Sequence, residues 1–138
     1  MIIKIIKVLS VIVAAFLIVY FIGGIDKGKQ NIDQDVIIFT PVAKQKIQSP
    51  LQVAGKARGT WFFEANIIVR IKDSNGNTIA LKGVQAKEDW MTTDYVNFED
   101  SIEFSKPNTD NGVLIVEADN PSGDPNNIRK FEIPLEFK

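Results

Sequence analysis

The sequence predicts an all-β, antiparallel sandwich of about seven strands, preceded by one N-terminal transmembrane helix. Two observations support this prediction: an uncharged apolar run near the N-terminus, and a later series of short segments in which apolar and polar residues alternate. Turn residues separate these segments, and no helical period accompanies them. At 138 residues, the chain has room for one domain of ordinary size beside such a helix.

The predicted helix spans residues 8–25, which include no charged side chain. As a helix this run would be about 27 Å long, close to the hydrocarbon thickness of a bilayer. Lys4 and Lys7 precede it, so the positive-inside bias keeps the N-terminus in the cytoplasm. A cleaved signal peptide is the alternative, although Tyr20 and Phe21 fit poorly beside a small-residue cleavage site. We therefore expect a single-pass membrane protein whose C-terminal domain is extracytoplasmic.

The rest of the chain divides into a short linker and a domain. Residues 26–35 are polar and without periodicity, which is typical of a flexible tether. We therefore assign residues 1–25 to the anchor, 26–35 to the tether and 36–138 to the sandwich. All 17 acidic residues follow the apolar run, with all but two of the 16 basic ones, so the soluble part is acidic. This charge argues against nucleic acid or an anionic lipid surface as a partner.

Seven segments carry the strand pattern: residues 36–39, 51–57, 67–72, 78–84, 95–104, 113–118 and 130–138. The Asn75-Gly76 pair between the third and fourth predicts a tight hairpin. Asp100 interrupts the apolar stripe of the fifth, which predicts a bulge there. The last segment is the clearest, and its apolar stripe is expected to face inward. That stripe comprises Phe131, Ile133, Leu135 and Phe137.

The side-chain inventory argues against catalysis. The chain has no histidine and no cysteine, which removes the commonest general base, thiol chemistry and the usual catalytic triads. No glycine-rich phosphate loop opens a helix. A carboxylate pair such as Asp89 and Asp94 leaves glycosidase chemistry as a distant alternative. We therefore expect no enzymatic activity, no cofactor and no metal.

Residues 58–65 hold three consecutive aromatic residues between two opposite charges. In one interpretation, Trp61 and Phe62 form a platform that contacts a partner. In the other, rings of this segment plug the end of the sandwich, because aromatic side chains usually serve cores. We also predict that Arg58 and Glu64 form a charge-assisted ion pair that pins the connection.

Residues 88–95 form a second cluster, which combines three acids, two aromatic residues and a methionine. Asp89, Trp90 and Tyr95 are its candidate partner-binding residues, and they suit a sugar or a peptide. Oxygen-rich loops also suit calcium, but no spacing here matches a dedicated calcium loop. Acids in loops more often satisfy their own backbone.

Several motifs give the sequence a family resemblance. Residues 49–58 read SPLQVAGKAR, a glutamate follows at position 64, and residues 69–76 read VRIKDSNG. These motifs resemble the immunoglobulin-like domain of bacterial spore-germination proteins. Residues 58–65, 89–98 and 119–123 look like a subfamily of short, membrane-tethered or secreted versions. The resemblance covers about residues 36–138; it implies an immunoglobulin-like β-sandwich at the cell envelope, and no activity.

We therefore expect a non-enzymatic envelope module that is held in the membrane through residues 8–25. It would bind a protein or cell-wall partner through the loops around Trp61 and Trp90. The rival hypothesis is a structural spacer or assembly subunit that pairs through edge strands and has no discrete ligand site. Exposed aromatic loops favour the first hypothesis, and an uncovered, uncharged edge strand favours the second.

Overall fold

Eight β-strands account for most of the regular structure in the computed structural model, which describes residues 34–138. In chain order they are β1 (Val36–Thr40), β2 (Gln45–Ile47), β3 (Leu51–Arg58), β4 (Asn66–Asp73), β5 (Thr78–Gln85), β6 (Tyr95–Ile102), β7 (Asn111–Glu117) and β8 (Lys130–Phe137). Two 3₁₀ turns, Gly59–Trp61 and Pro125–Asn127, lie in the connections. The described residues contain no helix long and apolar enough to cross a bilayer. The predicted anchor, residues 1–25, and most of the predicted tether lie outside them.

The strands form two sheets, of order β1-β3-β6 and β2-β8-β7-β4-β5. This two-sheet, all-β architecture confirms the predicted β-sandwich, whereas the predicted transmembrane helix lies outside the described residues. It differs from the prediction in one strand, because β2 pairs parallel with β8 and places Gln45 in register with Leu135. Only Ile47 of the three β2 residues is buried, so the sequence has no alternation of apolar and polar residues that would predict this strand. Its pairing with the distant β8 defines it.

The core lies between the two sheets and is built by alternation along the strands. In β3 and β4 every second residue is buried, as the pleat of a half-buried strand requires. The predicted inward stripe of β8 is confirmed: Leu135 and Phe137 are buried, and Phe131 and Ile133 pack partly buried against the core. The largest side chains that are fully buried include Phe98, Ile67, Ile71, Ile102, Leu114 and Leu135.

Asp100 lies on the inner stripe of β6 between buried neighbours, yet no bulge forms there. The pairing of β3 with β6 runs without a register shift from Leu51–Ile102 to Arg58–Tyr95, so that prediction is wrong. The Asp100 carboxylate instead bonds the Lys82 ammonium of β5 at 2.8 Å, across the open side between the sheets. This bond, which is the largest cause, holds the pKa of Asp100 below its usual value. A lysine from the other sheet therefore pairs with the carboxylate that interrupts the apolar stripe of β6.

The predicted hairpin between β4 and β5 is confirmed, and Asp73 organises it. Its carboxylate accepts hydrogen bonds from the backbone N–H groups of Asn75 and Asn77, and from the Asn77 side chain. The bond from the Asn77 side chain is the main reason that the pKa of Asp73 is lowered. Gly76 follows with φ +85°, a conformation that glycine adopts without a steric penalty.

Leu135→Ala tests the assignment of the inner face. Leu135 is 1% exposed, so its truncation should lower the free energy of unfolding by about 2–5 kcal/mol. Urea unfolding followed by circular dichroism measures this change. The matched control is Leu81→Ala, because Leu81 is 58% exposed and its change should stay within about 0.5 kcal/mol. Equal effects of the two substitutions would contradict the face assignment.

Candidate functional site

The start of the described chain and three connections between strands lie at one end of the sandwich. Antiparallel pairing brings together residue 35, residues 59–65 between β3 and β4, residues 86–94 between β5 and β6, and residues 118–129 between β7 and β8. We call this end the tether end, because the predicted tether joins the domain there. Both aromatic clusters singled out in the sequence lie at the tether end.

Trp61 is only 5% exposed and closes the tether end from inside. Its backbone carbonyl accepts a hydrogen bond from Asp119 N–H at 3.1 Å. The Arg129 guanidinium lies 5.3 Å from the centre of the indole ring and donates to the Thr60 carbonyl. The indole N–H has no hydrogen-bond partner among the described residues. Trp61 is therefore a plug, as the core interpretation predicts, and is not exposed for direct contact.

Phe62 lies at the boundary between the core and the surface. It is 5% exposed and packs edge-to-face against Phe98, with ring centres 6.4 Å apart. It also lines a surface cleft. Phe63, the third ring, is 40% exposed and begins the turn that leads into β4. Two of the three consecutive rings thus serve the core, and Phe62 also reaches the cleft.

The cleft is an open depression of about 460 Å³ at the tether end. Its lining is mostly apolar and comprises Gly59, Thr60, Phe62, Trp90, Met91, Thr92 and Thr93. Met91 is 76% exposed at the rim, whereas Trp90 is partly buried against the core. The structure therefore brings two of the predicted partner-binding residues, Phe62 and Trp90, into one cleft. Sequence reasoning noted Met91 in the cluster but did not select it.

The outer wall of the cleft, residues 90–93, is held against the backbone of Gly59. A Cβ atom on Gly59 would lie 2.1 Å from the carbonyl oxygen of Thr92 and 2.4 Å from that of Trp90, so only glycine fits. Gly59 N–H also donates to the Asp94 carbonyl at 2.9 Å. The wall is therefore fixed to the Gly59–Trp61 turn before any partner arrives.

Side chains of the same loop shape the wall from within. Asp89 Oδ1 accepts the backbone N–H of Met91 at 3.0 Å, and Thr92 Oγ1 accepts that of Asp94 at 3.1 Å. Asp89, a predicted partner-binding residue, thus orients the rim residue Met91. Within residues 34–138 no group of three or more acidic side chains is placed to hold a metal ion. In this loop the oxygen atoms satisfy their own backbone.

Arg58 and Tyr95 lie beside the cleft and hold the start of the described chain. The Arg58 guanidinium stacks 4.0 Å from the centre of the Tyr95 ring. The Tyr95 hydroxyl donates to the Gln34 carbonyl, and Arg58 N–H donates to the Asp35 carbonyl at 2.8 Å. We call this arrangement the tether clamp. The last two residues of the predicted tether are therefore bound to the sandwich, and Tyr95 supports the chain instead of lining the cleft.

The predicted Arg58–Glu64 ion pair is not among the salt bridges that join described residues. Those salt bridges are Arg70–Glu117, Lys82–Asp100 and Lys130–Glu132. The reason is geometric, because Arg58 leans over Tyr95 and its guanidinium also reaches the Thr93 carbonyl at 3.5 Å. Glu64 instead lies in an exposed turn, where it and Ala65 adopt positive φ angles of 48° and 64°. Arg58 still pins a chain segment, but that segment is the tether.

The fold and the cleft define an immunoglobulin-like sandwich with a preformed surface depression at one end. Residues 35–124 match the family described as the immunoglobulin-like domain of bacterial spore germination, and the chain belongs to that family. This match confirms the resemblance seen in the sequence. It begins at the tether clamp and ends within the β7–β8 connection, before β8. No curated protein and no solved structure shows significant similarity to the chain.

Gly59→Ala tests how the wall of the cleft is held. The new methyl group would collide with two carbonyl oxygens, so residues 90–92 must move away. We expect the free energy of unfolding to fall by about 1–3 kcal/mol, as in overpacked sites, with a changed near-ultraviolet spectrum from Trp90. The matched control is Gly83→Ala on β5, whose Cβ would meet only the Asn66 side chain, at 3.3 Å. An unchanged spectrum and stability for Gly59→Ala would refute this account.

Proposed function

We propose that the chain is a non-enzymatic binding module on the extracytoplasmic face of the cell membrane. Residues 8–25 anchor it, and the cleft at the tether end holds a protein or cell-wall partner. The observation that carries this proposal is the exposure of Met91 on a fixed wall above Phe62. A solvated loop that presents an apolar side chain in a preformed depression is typical of a recognition surface.

The chemistry of the rim suits binding. Methionine is flexible and polarisable, so an exposed methionine adapts to varied partner surfaces. Trp90 adds rigid aromatic area with little entropy to lose on binding, a property of many interface anchors, and the largely buried Phe62 forms the floor beneath it. The three threonines of the cleft offer hydroxyl groups that fix orientation. Catalysis has less support, because the chain lacks histidine and cysteine and Asp89 is engaged with the Met91 backbone.

The rival proposal, assembly through edge strands, has less support at two of the sheet edges, those of β8 and β1. β2 pairs with β8 only over Leu135–Phe137, so the first half of β8 borders no strand on that side. That half contains Pro134, which has no N–H to donate, and a Lys130–Glu132 salt bridge of 2.7 Å. Proline and charged side chains on an edge oppose pairing with another chain. β1 in turn carries a register shift between Ile38 and Thr40.

The anchor is tested by fractionation of cells that express the full chain. Because residues 8–25 are apolar and uncharged, the protein should stay in the membrane pellet after alkaline carbonate extraction. Protease added to cells with a permeable outer layer should remove the sandwich, since it is extracytoplasmic. Release into the supernatant with a new N-terminus near Gly24 would instead show a cleaved signal peptide.

The binding cleft is tested by site-specific crosslinking in the native envelope. Because the chain has no cysteine, Met91→Cys provides a unique attachment point for a photoreactive maleimide. We expect one saturable adduct from this position, which Trp90→Ala in the same chain should reduce at least fivefold. The matched control is Leu81→Cys, exposed on β5 and away from the cleft, which should give no such adduct. Equal labelling of partners from both positions would remove the support for a discrete site.

A further inference from the structure

We infer that the partner bound in this cleft is a basic protein segment, rich in lysine or arginine. This inference rests on the proposed function and specifies the chemistry of its partner. It comes from the charges of the segments that form the tether end. The binding proposal itself does not need this observation.

The tether end is strongly acidic. Its segments, residues 34–35, 58–65, 86–94 and 118–129, carry seven acidic and three basic side chains. Two of the three basic groups are engaged in the domain itself, because Arg58 stacks on Tyr95 and Arg129 lies over Trp61. The opposite end differs, since its connections, residues 41–50, 74–77 and 103–110, together carry three lysines and two acids. Negative charge is therefore concentrated at the end that contains the cleft.

Three of these acids are close to lining residues in the chain. Asp89 and Asp94 border the wall formed by residues 90–93, and Glu64 lies two residues after Phe62. None of them belongs to a salt bridge between described residues. An apolar depression with an acidic rim matches a lysine or arginine side chain. The aliphatic stem of such a side chain packs on Met91, its cation meets a carboxylate, and the Trp90 indole attracts it further.

The tether clamp lies beside the same cleft. It joins Gln34 and Asp35 to the sandwich, and the Arg58 guanidinium extends from the clamp to the carbonyl of Thr93, a cleft residue. An anionic lipid headgroup is not the favoured occupant, because the acidic rim repels it.

The test uses the full chain in nanodiscs of zwitterionic phosphatidylcholine. The probe is a fluorescent peptide of repeated Lys-Ala-Ser, and its counterpart has glutamate in place of lysine. Fluorescence anisotropy, corrected with empty nanodiscs, should show binding of the lysine peptide only, weakened by added salt. Equal affinity for the two peptides would overturn the inference.

Two charge-neutral variants test whether the acids near the cleft attract the lysine peptide. The variant Glu64→Gln, Asp89→Asn, Asp94→Asn keeps the side-chain shapes and the Asp89 acceptor atom, and should weaken binding of the lysine peptide at least tenfold. The matched control neutralises Glu103, Asp110 and Glu136, which lie outside the tether end, and should change binding less than twofold. Similar losses from both variants would show a diffuse attraction and refute the assignment to the cleft.

Two further outcomes separate this inference from the proposed function. If Met91→Cys gives its specific crosslink but the charge-neutral variant binds the lysine peptide like the wild type, the binding function stands and the basic partner is rejected. A nitroxide at Met91→Cys that contacts phosphatidylglycerol in anionic nanodiscs would assign the cleft to lipid and also reject it. The inference is supported if three results occur together. The charge-neutral variant loses binding of the lysine peptide, Met91→Cys gives its specific crosslink, and the nitroxide shows no lipid contact.

Discussion

The burial of Trp61 is the constraint on which the tether end depends. Its ring fills the end of the space between the two sheets, and its neighbours in the Gly59–Trp61 turn meet the connection before β6. Asp119 from the connection after β7 bonds the same residue. The Gly59–Trp61 turn therefore holds loops from both sheets through its backbone, in a domain without disulfides. The cleft is a consequence, because its floor and its outer wall are both attached to this turn.

Gly59 allows the loop before β6 to approach the Gly59–Trp61 turn closely. The carbonyl oxygens of residues 90 and 92 approach the glycine so nearly that any side chain would separate the two segments. The loop can then present Met91 to solvent without being loose, since its backbone is tied to the turn and to its own Asp89 and Thr92 side chains. A preformed loop loses less conformational entropy when a partner binds. The contacts that stabilise this end are therefore the ones on which the proposed recognition depends.

The tether clamp lies at the start of the described chain. Arg58, Tyr95 and the backbone of residues 34 and 35 fix the point at which the chain leaves the sandwich. That point lies beside the cleft, and the Arg58 guanidinium touches both. For an immunoglobulin-like domain of the spore-germination family, the loops at the two ends are thus unequal. One end is acidic and carries the apolar cleft and the tether clamp, and the connections at the other end have one more lysine than acids.

The sequence alone determined the fold class, the faces of most strands, the Asp73–Asn77 hairpin and the family. These features depend on local periodicity and turn chemistry, which neighbouring residues encode. The tertiary structure decided β2, whose three residues have no pattern until β8 pairs with them. It also decided that Lys82 satisfies Asp100 and that Arg58 holds the tether instead of Glu64. In each case the partner is distant in the chain, and residue types and spacing cannot show which charges or rings will meet. The cleft belongs to this second group, because Phe62 and Met91 become neighbours only when the loop before β6 packs on Gly59.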